Sequence, residues 1–267
     1  MSIPKIIHYC WFGKNEKPEL VKKCIASWYS KLKDFEFMEW NEDNFDVFQI
    51  QYTAQAYEHK KYAFVSDYAR LKVLKQFGGI YLDTDVEVLK NLDVFLKNDF
   101  FAGFENHKGV APGLIMGSIP NHPLLDELMQ FYENHPFINV NGSCCTYTTV
   151  QNCTNILLKH GLILDENRRQ NLNGIMIYEK EVFCPDANTR KTGNYSNLTY
   201  TVHHYMASWR DEKYNKRLNN PIWKAFVQIG SYGGKFAKKK LGVKRWNELK
   251  TGKLSKLYDA MRGIKDD

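Results

Sequence analysis

Asp83-Thr84-Asp85 stands at the end of a short apolar run, Ile80-Tyr81-Leu82, which follows a double glycine. If residues 80–83 form a strand, side chains i and i+2 leave one face roughly 6.5–7 Å apart, a spacing at which two carboxylates share one hard divalent ion directly or through water. Strand ends of open α/β sheets are also where ligands bind. The competing reading is a solvated turn with two capping side chains. Asp67 and Arg70 lie three residues apart on a predicted helix over 63–77, on the side away from Leu71 and Leu74. They are either a surface ion pair worth less than about 1 kcal/mol or a bidentate holder of sugar hydroxyls and phosphate. Trp11, beside Gly13 and Lys14 at the end of an apolar run, is a core residue or a stacking platform for a base. His203 and His204 are adjacent on a predicted strand, so at most one of them faces a given cleft, as a metal ligand or as a core histidine bonded to backbone.

These residues need a scaffold, and the chain has the pattern of one. Ile3 to Gly13 reads as a buried strand, 18–32 as a helix with Leu20, Val21, Cys24, Ile25 and Trp28 at helical spacing, and 35–40 as a second strand. This β-α-β opening predicts a parallel α/β sheet. In the 63–77 helix, Phe64, Tyr68, Leu71, Leu74 and Phe77 form one apolar stripe that Gly78-Gly79 stops. Strands are expected at 80–83, 99–105, 113–118, 176–183 and 198–204, and helices near 122–134 and 147–160. Residues 1–209 read as one domain, and 210–267 as a basic extension of two or three amphipathic helices. Neither G-x-G-x-x-G nor the P-loop pattern occurs, which disfavours a Rossmann dinucleotide site and a P-loop NTPase.

With 267 residues, 43% apolar and 25% charged, the chain can bury a core and carry a cleft without disulfide or metal staples. Its six cysteines form no C-x-x-C pair and suit neither a zinc ribbon nor a secreted disulfide framework, so reduced, inert thiols are expected. An apolar pattern begins at once with Ile3, Ile6 and Ile7, so no signal peptide is expected, and no run approaches the roughly 20 apolar residues of a membrane span. The net charge of +7 is uneven: residues 210–267 hold 16 Lys and Arg against 6 Asp and Glu, a balance of +10 that leaves −3 for the rest. Such an appendage suits an anionic surface more than a basic active site.

Taken together, the opening IPKIIHYCWFG, the block FVSDYARLKVLKQFGGIYLDTD and the closing HHYMASW resemble the DXD-containing glycosyltransferases of family 32, over residues 3–209. That family includes bacterial capsule-type transferases, yeast initiating mannosyltransferases and clostridial glucosylating toxins. The resemblance implies a GT-A fold, a Rossmann-like mixed sheet flanked by helices. It also implies a nucleotide-sugar donor, a Mn²⁺ or Mg²⁺ ion and transfer with retention. Donor contacts are implied for Trp11, Ser66, Asp67, Arg70, Tyr81, Asp83, Ser208 and Trp209, with Trp11 on the nucleobase and Ser208 and Trp209 on the β-phosphate. The metal is implied at Asp83 and Asp85, Asp85 being the preferred direct ligand, with His203 or His204 nearby.

A UDP-linked hexose, a saccharide acceptor that can be lipid-linked, no nucleic acid and a cytoplasmic enzyme complete the expectation, with 210–267 either docking it at the inner membrane face or packing on the catalytic body as a helical cap with solvated lysines. Two other readings of the residues are a glycoside hydrolase, whose carboxylates flank a sugar, and a non-catalytic sugar or nucleic-acid binder using the basic extension.

Overall fold

A computed structural model describes residues 2–107 and 109–206. The chain divides into two units, Met1–Trp209 and Arg210–Asp267, and only the first contains described residues. The helical extension expected over 210–267, and Ser208 and Trp209, therefore lie outside them.

The elements in chain order are β1 (Ile6–Cys10), α1 (Glu19–Lys31), β2 (Glu36–Trp40), α2 (Gln51–Glu58), α3 (Tyr62–Phe77), β3 (Gly79–Tyr81), β4 (Val86–Val88), β5 (Phe100–Asn106), β6 (Gly109–Val110) and β7 (Met116–Ser118). They continue with α4 (Pro123–Asn134), α5 (Thr149–Lys159), β8 (Gln170–Leu172), β9 (Ile175–Tyr178), α6 (Lys180–Phe183), α7 (Ala187–Thr192) and β10 (Thr201–His203). The main sheet runs β2-β1-β3-β7-β5-β9-β8, with β6 paired to β5, and β4 and β10 form a separate antiparallel ribbon. β2, β1 and β3 are parallel, whereas β7 is antiparallel to both β3 and β5. The sheet is mixed, as the resemblance to GT-A enzymes implies. No described helix is long and apolar enough to cross a membrane.

Alternation along β1 distributes its side chains between two cores. Ile7 and Tyr9 pack with Trp28 and Leu32 on the α1 side, while Cys10 joins the core built around α2, α3, α4 and α5. Between them His8 is fully buried. Trp40 Nε1–H donates to its Nδ1 (3.1 Å), and this assigns the proton to Nε2, which donates to the Gly78 carbonyl (2.8 Å). That bond ties the end of α3 to β1. The double glycine is demanded by the same junction: φ is 66° at Gly78 and 100° at Gly79, and a Cβ on Gly79 would meet the Ile6 carbonyl at 2.7 Å. Residues 78–79 thus end α3 and also let β3 lie directly against β1.

Burial depresses the His8 pKa to about 4, against the opposing pull of the Gly78 carbonyl. In the unfolded chain the ring takes a proton near 6.5. The unfolded state therefore binds more protons between these values, and stability present above pH 6.5 is lost as pH falls towards 4. On the order of 3 kcal/mol is at stake. Urea midpoints at pH 7 and pH 4.5 should show this loss, and His8→Gln, which keeps both a donor and an acceptor, should show a smaller one. An equal pH dependence in the variant would remove His8 as the cause.

Several expected elements differ. Residues 176–183 are not one strand: β9 ends at Tyr178, and α6 occupies Lys180–Phe183. The strand expected at 80–83 stops at Tyr81, and that at 113–118 begins only at Met116. In both places the backbone leaves the sheet to build the site.

Candidate active site

Parallel pairing of β1 and β3, with His8 opposite Tyr81, puts Trp11 and Asp83 beyond one sheet edge. Asp83 N–H donates to the Gly113 carbonyl (2.9 Å), and Val86 N–H closes a turn onto the Asp83 carbonyl (3.0 Å). Asp83 and Asp85 therefore sit in a turn and not along extended backbone. The turn folds them toward His203, which β10 brings alongside β4 opposite Val86. Ligating atoms of Asp83, Asp85 and His203 all lie within 4.8 Å of one another.

Asp85 is the most constrained of the three. It is 8% exposed, its Oδ2 accepts from Met206 N–H (2.7 Å), its carbonyl accepts from His204 N–H (3.0 Å), and its Oδ1 lies 3.3 Å from His203 Nε2. Burial alone would raise its pKa; the His203 contact and the Met206 N–H outweigh it and leave the carboxyl below its ordinary value. Conversely, His203 is raised, because Asp85 and Asp83 overcome its desolvation. Two carboxylates and an imidazole converging on one point form a donor set for a divalent transition ion such as Mn²⁺. The Nδ1 atom of His203 is buried without a hydrogen-bond partner among the described residues. The chemistry of the donors thus fits a cation. His204 does not belong to the set: one residue on, it turns to the opposite side and pairs with Glu87 (2.9 Å).

Arg70 joins this cluster to α3. Its Nη2 donates to Asp83 Oδ1 (3.2 Å) and lies 3.0 Å from Asp67 Oδ1, while Nε–H donates to the Ser66 carbonyl (3.2 Å). The expectation that Asp67 and Arg70 share an outward helix face is wrong. They are 9% and 3% exposed, because α2 and α4 cover the side of α3 opposite the sheet, leaving a helix whose middle is buried nearly all round. A carboxyl so enclosed is pushed up to about 7 by burial, against the pull of Arg70. The Arg70 guanidinium is held cationic by Asp83, Tyr81 and Asp67 despite its own desolvation.

Tyr81 is also a buried member, 1% exposed. Its hydroxyl donates to Asp83 Oδ1 (3.1 Å) and its ring carries the Arg70 guanidinium at 4.8 Å, so it orients Asp83 from beneath instead of lining the cleft as expected. Ser66 is half-buried, and its hydroxyl donates to the Tyr62 carbonyl (3.2 Å). Trp11 is outside both cores: partly exposed, it donates Nε1–H to the Asn15 carbonyl (2.7 Å), with the Lys17 ammonium 5.7 Å from its ring centre. The preceding Cys10 thiol is buried, and burial pushes it up to about 12, away from the reactive thiolate. None of the six cysteines is in a disulfide.

Gly113 is the site residue that the sequence reading missed. A Cβ there would stand 2.0 Å from Asp83 Oδ2 and 2.8 Å from Arg70 Nη1, so only glycine leaves room for that carboxylate. Its position between Pro112 and the apolar run 114–116 is the one local signal.

Residues 18–102, which include Asp67, Arg70, Asp83 and Asp85, match the family described as the glycosyltransferase sugar-binding region containing DXD motif. An uncharacterized glycosyltransferase of Acanthamoeba polyphaga mimivirus is 29% identical over 222 residues, 78% of this chain and 84% of that protein. Inositol phosphoceramide mannosyltransferase 3 of Schizosaccharomyces pombe is 28% identical over 153 residues, 52% of this chain. The matched region spans only 41% of that yeast relative. Among solved structures, the PaToxG glycosyltransferase is similar with 19% identity and a TM-score of 0.47, covering 59% of this chain and 70% of that one.

Proposed function

We propose, from the premise that this chain is a glycosyltransferase carrying the DXD sugar-binding region, that it moves a hexose from a UDP-linked donor to a saccharide acceptor, with a divalent ion at Asp83, Asp85 and His203 and with retention at the anomeric carbon. The observation that carries the reading is the convergence of those three side chains beside the Arg70 guanidinium.

Departure of a diphosphate gathers negative charge as the sugar becomes cationic. A divalent ion, when bound, supplies Lewis-acid stabilisation of that leaving group. Arg70, cationic and bonded to both Asp67 and Asp83, holds the two carboxylates in fixed relation. Trp11, outside the core, offers a ring face for the base. In retaining transfer the departing phosphate oxygen takes the acceptor proton on the same face, so no separate base is required. A glycoside hydrolase would need carboxylates facing each other across the sugar; Asp83 and Asp85 point to one spot with an imidazole, which suits a cation.

The acceptor we favour is a lipid-linked saccharide of bacterial surface polysaccharide synthesis. Residues 210–267, with their balance of +10, would dock the enzyme at the cytoplasmic face of the membrane.

The test is turnover of a panel of UDP- and GDP-sugars with Mn²⁺ and with chelator, followed by NMR of the product. Mn²⁺-dependent release of UDP and an unchanged anomeric configuration are expected. Turnover of GDP-sugars alone would reject the donor, an inverted product the stereochemistry, and turnover in chelator the metal.

A further inference from the structure

The segment carrying His203 is held in a conformation that side chains rarely adopt. Tyr205 has φ 54°, in the left-handed region that a bulky residue occupies only where its surroundings over-determine it. Here they do. The Tyr205 ring lies against the His203 imidazole with centroids 4.2 Å apart. Over the Tyr205 ring stands the Arg190 guanidinium at 4.7 Å, itself held by donating Nη1–H to the Pro185 carbonyl (2.7 Å). The Tyr205 hydroxyl is hydrogen-bonded to the Cys184 thiol at 2.8 Å, and Cys184 is fully buried. On either side of Tyr205, the N–H groups of His204 and Met206 both donate to Asp85. Reversal of the chain at the left-handed residue lets two N–H groups two positions apart reach one aspartate.

A metal-binding imidazole is ordinarily oriented by a hydrogen bond from its other nitrogen to a carboxylate, a carbonyl or water. Nothing of the kind holds His203: among the described residues its buried Nδ1 has no hydrogen-bond partner. Besides the contact of its Nε2 with Asp85 (3.3 Å), the tilted contact with Tyr205, at 32° between the ring planes, is what sets the rotation of the ring. We propose that Tyr205 is a positioning residue, which through its ring, clamped by Arg190 and Cys184, holds the His203 imidazole toward Asp83 and Asp85 for a divalent cation. This rests on the metal-holding reading above and adds to it a residue that acts through His203.

The full chain is titrated with Mn²⁺ alone by calorimetry, and the bound ion is examined by pulsed electron paramagnetic resonance for ¹⁴N coupling from the imidazole. Tyr205→Asn removes the ring while tolerating the left-handed backbone, and Tyr205→Gly does so with still less strain. Both should lose roughly tenfold in Mn²⁺ affinity and weaken the ¹⁴N coupling. Tyr205→Phe keeps the ring and should retain both, losing only the Cys184 bond. Wild-type affinity and coupling in either ringless variant that folds would overturn the positioning role and leave the proposed function standing. Equal loss in Tyr205→Phe would overturn it too, by assigning the effect to the hydroxyl. A wild-type protein that takes up no Mn²⁺, or none with nitrogen coupling, would overturn the role together with the metal site on which it rests.

Discussion

Asp85→Asn should lower sugar transfer at least about 100-fold, with the thermal midpoint moved by only a few degrees. The amide oxygen can still accept from Met206 N–H, so the turn survives, while the negative charge that faces His203 and a cation is gone. Asp85→Ala is a poorer test of chemistry. Asp85 is 8% exposed, and truncation leaves the Met206 N–H and the His203 imidazole without their partner, which costs about 1–3 kcal/mol of stability for each buried group left unsatisfied. Turnover of the Asn variant within threefold of wild type would remove Asp85 from the metal-holding set.

Arg70→Lys should be nearly as damaging to activity and more damaging to the fold. One guanidinium meets Asp67, Asp83 and the Ser66 carbonyl, and an ammonium on a flexible stem cannot reproduce a planar fork at three points. Breaking a buried pair by removing one partner, as Arg70→Gln does, costs about 3–5 kcal/mol, and Arg70 is 3% exposed. Asp67 gives the loss a pH signature, most clearly in Arg70→Gln. Burial already pushes the Asp67 carboxyl up to about 7, so between its unfolded value and about 7 the folded state binds the extra proton and stability falls as pH rises. Without Arg70 that proton is held more tightly still. The stability gap between Arg70→Gln and wild type should therefore be narrower at pH 5 than at pH 8. Urea midpoints at both values measure it, and a gap independent of pH would mean that Asp67 is not the group left exposed to desolvation.

The chemistry of the site is written in local sequence, because it depends on residue types at fixed short separations. Asp83 and Asp85 after a double glycine, Asp67 and Arg70 one helical turn apart, and a β-α-β opening indicate an α/β domain with candidate cation and sugar contacts. It is the resemblance of the whole block to DXD glycosyltransferases that chooses between those contacts and a solvated turn with a surface ion pair. The periodicity of α3 was legible as well, since Phe64, Tyr68, Leu71 and Leu74 mark its buried side. Periodicity reports only one face, however. That Asp67 and Arg70 are themselves enclosed follows from α2 and α4 closing over the second face, and the α4 contact joins residues as far apart as Tyr68 and Glu133, which no short window of sequence contains.

Which histidine faces the carboxylates was open for the same reason. Adjacent strand residues point to opposite sides, and only the pairing of β10 with β4, in the register that sets His203 opposite Val86, turns His203 to Asp85 and His204 to Glu87. A shift of one residue in that register would have exchanged them. The sequence by itself determined the kind of site, through the donors it supplies. Tertiary structure decided its membership, because burial and register arise from contacts distant along the chain: it admitted His203, Gly113 and the ring of Tyr81, and it turned His204 away.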